Sequence, residues 1–302
     1  MGRETKARDI IDAKFLGSLA LLDLQVRQAS QGRIGGSRKT NTAGSSLDWL
    51  DHRPYIPGDD LKYLDWNLAG RFDRYYIKRY VDERQLHTIL YIDLSASMDW
   101  REDENKCAAA LRLAVALGYL SISHMDRLSL KLLRGSSCRD LCPAILDRDA
   151  FFQAASLLSM SSFGGDVNLF SAVQSDFAPG GDDGLSVIIS DFMTDSDWRG
   201  AVDYLLSRRR QVALVQVLSA EELNPLYGGK LNLQDSEVPT GRDMRLEIDR
   251  AVLESYQKST GEWLEEIAAF CKSRRVPYLL ARSEERIEDI VLKKAVAAGI
   301  VR

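Results

Sequence analysis

Two groups of polar side chains stand at the ends of apolar, strand-like segments in this chain. The first group is Asp93, Ser95 and Ser97, in a D-x-S-x-S pattern, and the second is Asp191. Carboxylate and hydroxyl oxygens are hard ligands that suit Mg²⁺ or Mn²⁺ in octahedral geometry. The residue types therefore predict a divalent-metal site with one coordination position left for the carboxylate of a partner.

Strands and helices, each with its own spacing of apolar residues, must position these side chains. Apolar runs of strand length occupy 87–95, 126–135, 185–192, 211–219 and 276–283. Helical patterns occupy 103–124, 148–160, 168–176, 197–209, 250–274 and 285–299, and a β-ribbon is predicted within 229–248. Apolar strands that alternate with helices are typical of a parallel sheet covered on both faces. The predicted fold class is α/β, with a mostly parallel, doubly wound sheet.

The order of these elements also predicts where the polar groups meet. Right-handed crossovers place the loops that follow 87–95 and 185–192 at the same carboxyl edge of the sheet, which is where such sheets bind ligands. A simpler alternative is that Ser95, Ser97 and Asp191 only cap the helices that follow them. Their position between an apolar strand and a helix favours the metal site.

The chain before the sheet is predicted to be a separate region, 1–85, followed by a domain at 86–302. It begins with an amphipathic helix at 7–30, continues through a Gly/Ser/Thr-rich loop at 31–46, and ends in a small β-rich segment.

The strand-end residues resemble the metal-ion-dependent adhesion site of von Willebrand factor A domains. That site combines D-x-S-x-S with a threonine in a Gly-rich loop and an aspartate after a later strand. In this chain Gly164-Gly165-Asp166-Val167-Asn168-Leu169 matches the Gly-rich loop, and Val167 stands where the family has threonine. Valine cannot coordinate a metal, so Asp166 or Asn168 would have to substitute.

This resemblance implies two overlapping sets of site residues and a von Willebrand factor A-like fold. The implied metal ligands are Asp93, Ser95, Ser97, Asp166 and Asp191. The implied partner-binding residues are Asp93, Ser95, Ser97, Met98, Asn168 and Asp191. With Val167 in place of threonine, Mg²⁺ or Mn²⁺ is expected to bind weakly or not at all.

A second resemblance comes from the segment Arg-Pro-Tyr-Ile-Pro-Gly-Asp-Asp-Leu-Lys-Tyr-Leu-Asp-Trp at 53–66 and the Glu83-Arg84 pair that follows it. Together with the D-L-S-A-S-M strand end, it is similar to domain-of-unknown-function family 58 (DUF58). A charged hydrogen-bond network is expected among Arg53, Tyr55, Gly58, Asp59, Asp60, Asp65, Trp66, Arg71 and Arg84. This network is expected to hold the N-terminal segment onto the A-like domain through ion pairs, and this role is favoured over a client-binding surface.

The DUF58 resemblance implies a MoxR-type AAA+ ATPase as partner. The pair would act as a chaperone-like or cofactor-insertion machine, in which the A-like protein recognises a client protein. Many members of the family carry N-terminal membrane spans. This chain shows no stretch of about 20 apolar residues, so a soluble, cytoplasmic protein without a membrane span is expected.

Two other classes of function compete with this interaction module. An aspartyl phosphatase needs a second aspartate two residues after the first, but position 95 is serine, and G-x-S-x-G is absent. A metal-dependent hydrolase that uses the same edge is the main alternative. The net charge of −4 argues against nucleic-acid binding, although Arg33, Arg38 and Lys39 offer a weak basic group.

Overall fold

The structure is a computed structural model that describes most of the chain. The described residues are 39–40, 49–72, 74–80, 82–83, 86–99, 106–176, 184–233 and 244–301. The predicted helix at 7–30, most of the loop at 31–46, and Arg84 lie outside the described residues. The described residues fall into two compact units, one before and one after the boundary between Gln85 and Leu86.

The smaller unit is built from short strands and one helix. Its elements are β1 (Lys39–Thr40), β2 (Trp49–Pro54), α1 (Trp66–Phe72), β3 (Tyr76–Tyr80) and β4 (Asp82–Glu83). Strand β2 pairs with β3, and β1 pairs with β4, both antiparallel. Its described buried apolar side chains are Leu64 and Ile77.

The larger unit contains the alternating strands and helices predicted from the apolar periodicity. Its first half comprises β5 (His87–Asp93), α2 (Lys106–Ser123), β6 (Arg127–Arg134), β7 (Ser137–Ile145), α3 (Arg148–Ser159), α4 (Leu169–Ser175) and β8 (Gly184–Ser190). Its second half comprises α5 (Trp198–Ser207), β9 (Arg210–Leu218), α6 (Ala220–Leu223), β10 (Gly229–Leu233), β11 (Met244–Ile248), α7 (Arg250–Arg274), β12 (Tyr278–Arg282) and α8 (Ile287–Asp289), which continues as a π-helical turn, Ile290–Ala295.

Six strands form the central sheet, in the order β12-β9-β8-β5-β6-β7. All neighbouring pairs are parallel except β6 and β7, which are antiparallel. The predicted α/β class with a mostly parallel, doubly wound sheet is confirmed. Strands β10 and β11 form the predicted ribbon separately from this sheet.

Strand β7 was not predicted from the sequence. It lies at the edge of the sheet, where most of its residues are exposed or half-buried, and it contains Pro143 and two register irregularities against β6. An edge strand of this kind lacks the apolar alternation by which buried strands are recognised.

Each face of the sheet carries its own apolar cluster. Alternate residues of β5 point to opposite faces, so that Leu90 and Ile92 belong to one cluster and Ile89 and Tyr91 to the other. The first cluster includes α2 and α3, and the second includes α4, α5 and α7. Burial on both faces explains why the central strands read as continuous apolar runs.

Among the described residues, α2 is long and apolar enough to cross a membrane by length and composition alone. However, 78% of that helix is buried inside the fold. Such burial is expected of the core helix of a doubly wound sheet.

Candidate functional site

The carboxyl ends of β5 and β8 bring two of the predicted site loops into direct contact. These strands are parallel neighbours, so their C-terminal residues lie side by side. Ser190 Oγ donates a hydrogen bond to Asp93 Oδ2 at 2.6 Å, and the backbone N–H of Ser95 donates to Asp93 Oδ1 at 2.8 Å. Both carboxylate oxygens of Asp93 are therefore engaged by the chain itself.

Asp93 is buried at this edge, with 3% of its surface exposed. Burial raises the pKa of its carboxyl, and the nearby negative charge of Asp191 raises it further. The hydrogen bonds from Ser190 and Ser95 lower it, and the result is a pKa of about 6. Asp93 thus carries a charge that its surroundings only partly compensate.

The two hydroxyls of the D-x-S-x-S loop lie within hydrogen-bond distance, with Ser95 Oγ 3.0 Å from Ser97 Oγ. Ser95 precedes the 3-10 turn Ala96–Met98, but its side chain makes no capping hydrogen bond to that turn. The side chain that caps α5 is Asp197, through Gly200 N. The capping alternative for Ser95 and Asp191 is therefore not what the structure shows.

The Gly-rich loop lies against the D-x-S-x-S loop through backbone hydrogen bonds. Gly164 N donates to Leu94 O, and Ala96 N donates to Gly165 O, both at 2.8 Å. Gly164 and Gly165 have φ values of +150° and +76°, which favour glycine. The glycines therefore shape the loop that reaches the first motif.

The side chains of the Gly-rich loop point to different environments. Val167 is buried within the apolar cluster that includes α4 and α5. Asn168 caps α4, because its Oδ1 accepts a hydrogen bond from Ser171 N at 2.9 Å. Asp166 is exposed. The threonine position is thus an apolar packing position, Asn168 serves as a helix cap, and Asp166 forms no three-membered ligand group with Asp93 and Asp191.

Asp191 is buried and paired with a lysine that lies 85 residues away in sequence. Lys106 Nζ donates to Asp191 Oδ2 at 2.9 Å, and Met193 N donates to Asp191 Oδ1 at 2.9 Å. The backbone carbonyl of Asp191 accepts a hydrogen bond from Gln216 Nε2 at 2.8 Å. The contacts of Lys106 and Gln216 tie the loop after β8 to α2 and β9.

Lys106 also pairs with Glu222, whose Oε1 lies 2.5 Å from Nζ. Glu222 is the third residue of α6 and closes the capping box that begins at Ser219, and its Oε2 accepts from Ser219 N at 2.8 Å. Burial lowers the pKa of Lys106, but the two carboxylates outweigh burial, and the net shift is upward. The ammonium therefore stays charged inside the fold.

A divalent cation does not fit this set of side chains well. Both oxygens of Asp93 accept hydrogen bonds, one oxygen of Asp191 is paired with an ammonium, and Val167 offers no ligand. No three carboxylate, thiol or imidazole side chains come together as metal ligands among the described residues. The remaining oxygen donors are mainly the hydroxyls of Ser95 and Ser97, which bind divalent cations weakly without carboxylates.

The predicted partner contact of Met98 needs a correction. Its side chain is fully buried in the apolar cluster that includes α2. It anchors the D-x-S-x-S loop to the core and does not face a partner. Among the other predicted partner-binding residues, Ser97 and Asn168 are half-buried, while Asp93, Ser95 and Asp191 are buried.

In the smaller unit, the segment 53–66 forms two separate polar groups. Arg53 makes a bidentate pair with Asp59, at 2.7 and 2.5 Å, and Asp59 also accepts from Ile56 N. Gly58, with φ of +107°, permits the turn between them. Asp60 caps the 3-10 turn Leu61–Tyr63.

The second polar group surrounds Asp65 at the start of α1. Its Oδ1 accepts from Asn67 N and Leu68 N, and its Oδ2 lies 2.8 Å from His52 Nε2 and 3.5 Å from Lys78 Nζ. The other predicted network members are placed outside these ion pairs: Tyr55 packs edge-to-face on Tyr75, and Trp66 and Arg71 are exposed. That these ion pairs hold the N-terminal segment onto the A-like domain stays a prediction.

Sequence reasoning missed Lys106, Glu222 and Gln216. None of them belongs to a recognised motif, and each is a common surface residue type. Lys106 gave one weak signal, because it is the last charged residue before the apolar run 107–111 of α2.

Comparisons with known proteins place most of the chain in one family. Residues 51–264 match the family described as "Protein of unknown function DUF58". The uncharacterized proteins Rv1480 of Mycobacterium tuberculosis and Mb1516 of Mycobacterium bovis are each 25% identical to this chain over 288 residues. The aligned region covers 94% of this chain and 90% of each relative.

Solved structures with a similar fold include two bacterial proteins. BatB, a conserved hypothetical protein from Bacteroides thetaiotaomicron, has a TM-score of 0.37 and 14% identity, and the match covers 62% of this chain and 99% of BatB. A von Willebrand factor type A protein from Catenulispora acidiphila has a TM-score of 0.35 and 12% identity, over 60% of this chain and 43% of that protein. Scores this low add nothing to the fold read from the strand order itself.

Proposed function

Because the chain belongs to the DUF58 family and has a von Willebrand factor A-like fold, we propose that it is a non-enzymatic protein-interaction module. It acts with a MoxR-type AAA+ ATPase as a chaperone-like adaptor. In this role it recognises a client protein during protein maturation or cofactor insertion in the cytoplasm. The family resemblance supports the ATPase as partner, and the carboxyl edge of the sheet supports the place of contact.

One observation carries the proposal: three loops that are distant in sequence are fastened together at one edge. The D-x-S-x-S loop, the Gly-rich loop and the loop after β8 are linked by the Gly164–Leu94 and Ser190–Asp93 hydrogen bonds. Preorganised loops at this edge of an α/β sheet are typical of a binding site, since binding then costs little ordering of the chain.

The exposed rim of this edge would make the contact. Asp99, Asp166 and Asp195 are exposed on the three loops, and Ser97 and Asn168 are half-buried beside them. Carboxylates on a rim favour a partner with a complementary basic surface, and such charges mainly affect the rate of association.

Charge reversal on the rim tests this place of contact. The variant Asp166→Arg/Asp195→Arg is expected to weaken binding to the purified MoxR-type ATPase of the same organism by at least about tenfold, because like charges at an interface cost several kcal/mol. Binding is measured by biolayer interferometry with full-length proteins.

The matched control is Glu247→Arg/Glu265→Arg, which makes the same change in net charge on exposed positions of β11 and α7. It should bind like the unmodified protein. If the unmodified protein does not bind the ATPase, or if both variants lose binding equally, the proposal is wrong.

A hydrolase at the same edge is the second candidate, and one observation favours it. The pKa of Asp93 is raised to about 6, and shifted carboxyl groups cluster at catalytic sites. However, the Asp93 side chain is buried, and each of its oxygens already accepts a hydrogen bond, from Ser95 N or Ser190 Oγ. Turnover of phosphate ester or peptide substrates with Mg²⁺ or Mn²⁺, abolished by Asp93→Asn, would establish this alternative over the adaptor.

A further inference from the structure

The buried carboxylate of Asp191 at the carboxyl edge is paired with a cation that belongs to the chain. The Lys106 ammonium lies 2.9 Å from Asp191 Oδ2 and 2.5 Å from Glu222 Oε1, and the Lys106 side chain has no exposed surface. Buried carboxylates need a compensating charge or hydrogen bonds. The ammonium supplies at this place the positive charge that a divalent ion would otherwise bring.

The location of Lys106 indicates that this contact is specific. Lys106 is the first described residue of α2, and its side chain has no exposed surface. Burial of an ammonium group is costly unless it is paired. Two carboxylates from separate loops offset this cost, so the arrangement depends on all three side chains.

The ammonium also links three elements that surround the site. Asp191 follows β8, Lys106 lies in α2, and Glu222 belongs to the capping box with Ser219 at the start of α6. A metal ion in an adhesion-type site would link loops in the same way, by joining oxygen ligands from several of them.

The remaining oxygen donors are too few to compete with this arrangement. With Asp191 paired to Lys106, Asp93 is the one carboxylate left beside the serine hydroxyls, and its two oxygens already accept hydrogen bonds. Val167 removes the hydroxyl that a threonine would contribute. Mg²⁺, which gives up its water reluctantly, needs stronger ligands than these.

We propose that Lys106 is the resident cation of the carboxyl edge, and that this edge holds its loops in place without a divalent metal ion. The expected effect on partner binding rests on the proposed function, whereas the metal-free state of the edge does not. A partner of this edge is held by direct hydrogen bonds and ion pairs to the rim, so its binding survives a metal chelator.

Manganese binding to the full-length protein without any partner is the first test. Free Mn²⁺ is followed by electron paramagnetic resonance during titration into the protein. The unmodified protein is expected to show no saturable site at millimolar Mn²⁺. The variant Lys106→Met/Val167→Thr, which frees Asp191 and restores the hydroxyl, is expected to gain one saturable site.

The unmodified protein decides the question even if the variant fails to fold. Saturable binding of one Mn²⁺ by the unmodified protein, abolished by Asp93→Asn, would overturn the proposal. Because no ATPase is present, this result is independent of whether the proposed partner is correct.

Thermal unfolding of Lys106→Met with and without Mg²⁺ is the second test. The variant leaves Asp191 and Glu222 unpaired, so its midpoint is expected to fall and to rise again when Mg²⁺ is added. The midpoint of the unmodified protein should not respond to Mg²⁺.

Lys131→Met is the matched control for this test. Lys131 is also buried, and it also pairs with two carboxylates, Asp140 and Asp176, each at 2.6 Å. Its loss should lower the midpoint without recovery in Mg²⁺. Equal recovery in both variants, or none in Lys106→Met, would contradict the inference.

Discussion

Asp93 shows how a single buried side chain at this edge can lower the stability of the fold. Its pKa is about 6 in the folded protein, against an ordinary value of 3.8, mainly because the carboxyl is buried. The folded protein therefore holds this proton more tightly than the unfolded chain does. It follows that the free energy of unfolding decreases as the pH rises through the interval from 3.8 to about 6, and the penalty is complete above that interval.

We therefore expect Asp93→Asn to stabilise the protein near neutral pH. Asparagine keeps the shape of the side chain and removes the buried charge, and the free energy of unfolding should rise by roughly 1 to 3 kcal/mol. Urea unfolding at neutral pH and at a pH below the interval would measure this. The difference should shrink in acid, where Asp93 is protonated in both states.

Asp195→Asn is the control for this substitution, since Asp195 is exposed and its charge is hydrated. It should change the free energy of unfolding by less than about 0.5 kcal/mol. An Asp93→Asn protein that is less stable than the unmodified protein at neutral pH would show that the charge is compensated in the fold.

The residues of the site divide into those that sequence could predict and those it could not. Asp93 and Asp191 could be predicted because each lies at the carboxyl end of an apolar strand. The order of the strands in the sheet then brings these two ends together. Lys106 lies 85 residues from Asp191 and 116 residues from Glu222. No local pattern encodes such a pair, because it forms only when α2, β8 and α6 are packed around the same edge.

At the scale of elements, the start of β8 shows how closely the central strands approach. A Cβ on Gly184 would overlap the His87 carbonyl oxygen of neighbouring β5, and it would lie 2.6 Å from an Arg210 guanidinium nitrogen. Arg210 in turn donates to Ser186 Oγ and to the carbonyl of Leu185. Glycine is therefore required where β8 enters the sheet between β5 and β9.

Gly184→Ala is accordingly expected to destabilise the protein by about 1 to 3 kcal/mol, because backbone or a buried side chain must shift. Urea unfolding with a constant m-value would measure it. Gly261→Ala in the middle of α7 is the matched substitution, since nothing lies within 4 Å of its added Cβ. It should stabilise the protein by about 0.5 to 1 kcal/mol. Equal effects of the two substitutions would contradict this explanation.

Elements with buried side chains could be predicted from the sequence, whereas an exposed edge strand could not. Strands β5 and β8 are buried on both faces and read as apolar runs, and α7 was predicted with the bounds that it has, Arg250–Arg274. Strand β7 was missed because backbone pairing with β6 holds it at the edge, while its side chains are mostly exposed. The sequence pattern records side-chain burial and carries little information on edge pairing.

At the scale of the whole molecule, the apolar core is unevenly distributed along the chain. Both large apolar clusters are drawn from residues between Ile89 and Val301. The described part of the smaller unit buries only Leu64 and Ile77 among its apolar side chains. Hydrophobic burial is the main favourable term in folding, so the two regions should differ in their ability to fold alone.

We therefore predict that a fragment of residues 86–302 folds cooperatively by itself, whereas a fragment of residues 28–85 does not. The longer fragment keeps both apolar clusters and the whole six-stranded sheet. The described residues of the shorter fragment bury too little apolar surface to offset a backbone ordering cost of about 1 to 2 kcal/mol per residue. Circular dichroism with urea unfolding would distinguish them. A fragment 86–302 that shows helical signal but no cooperative transition would mean that the sheet needs the preceding chain to fold.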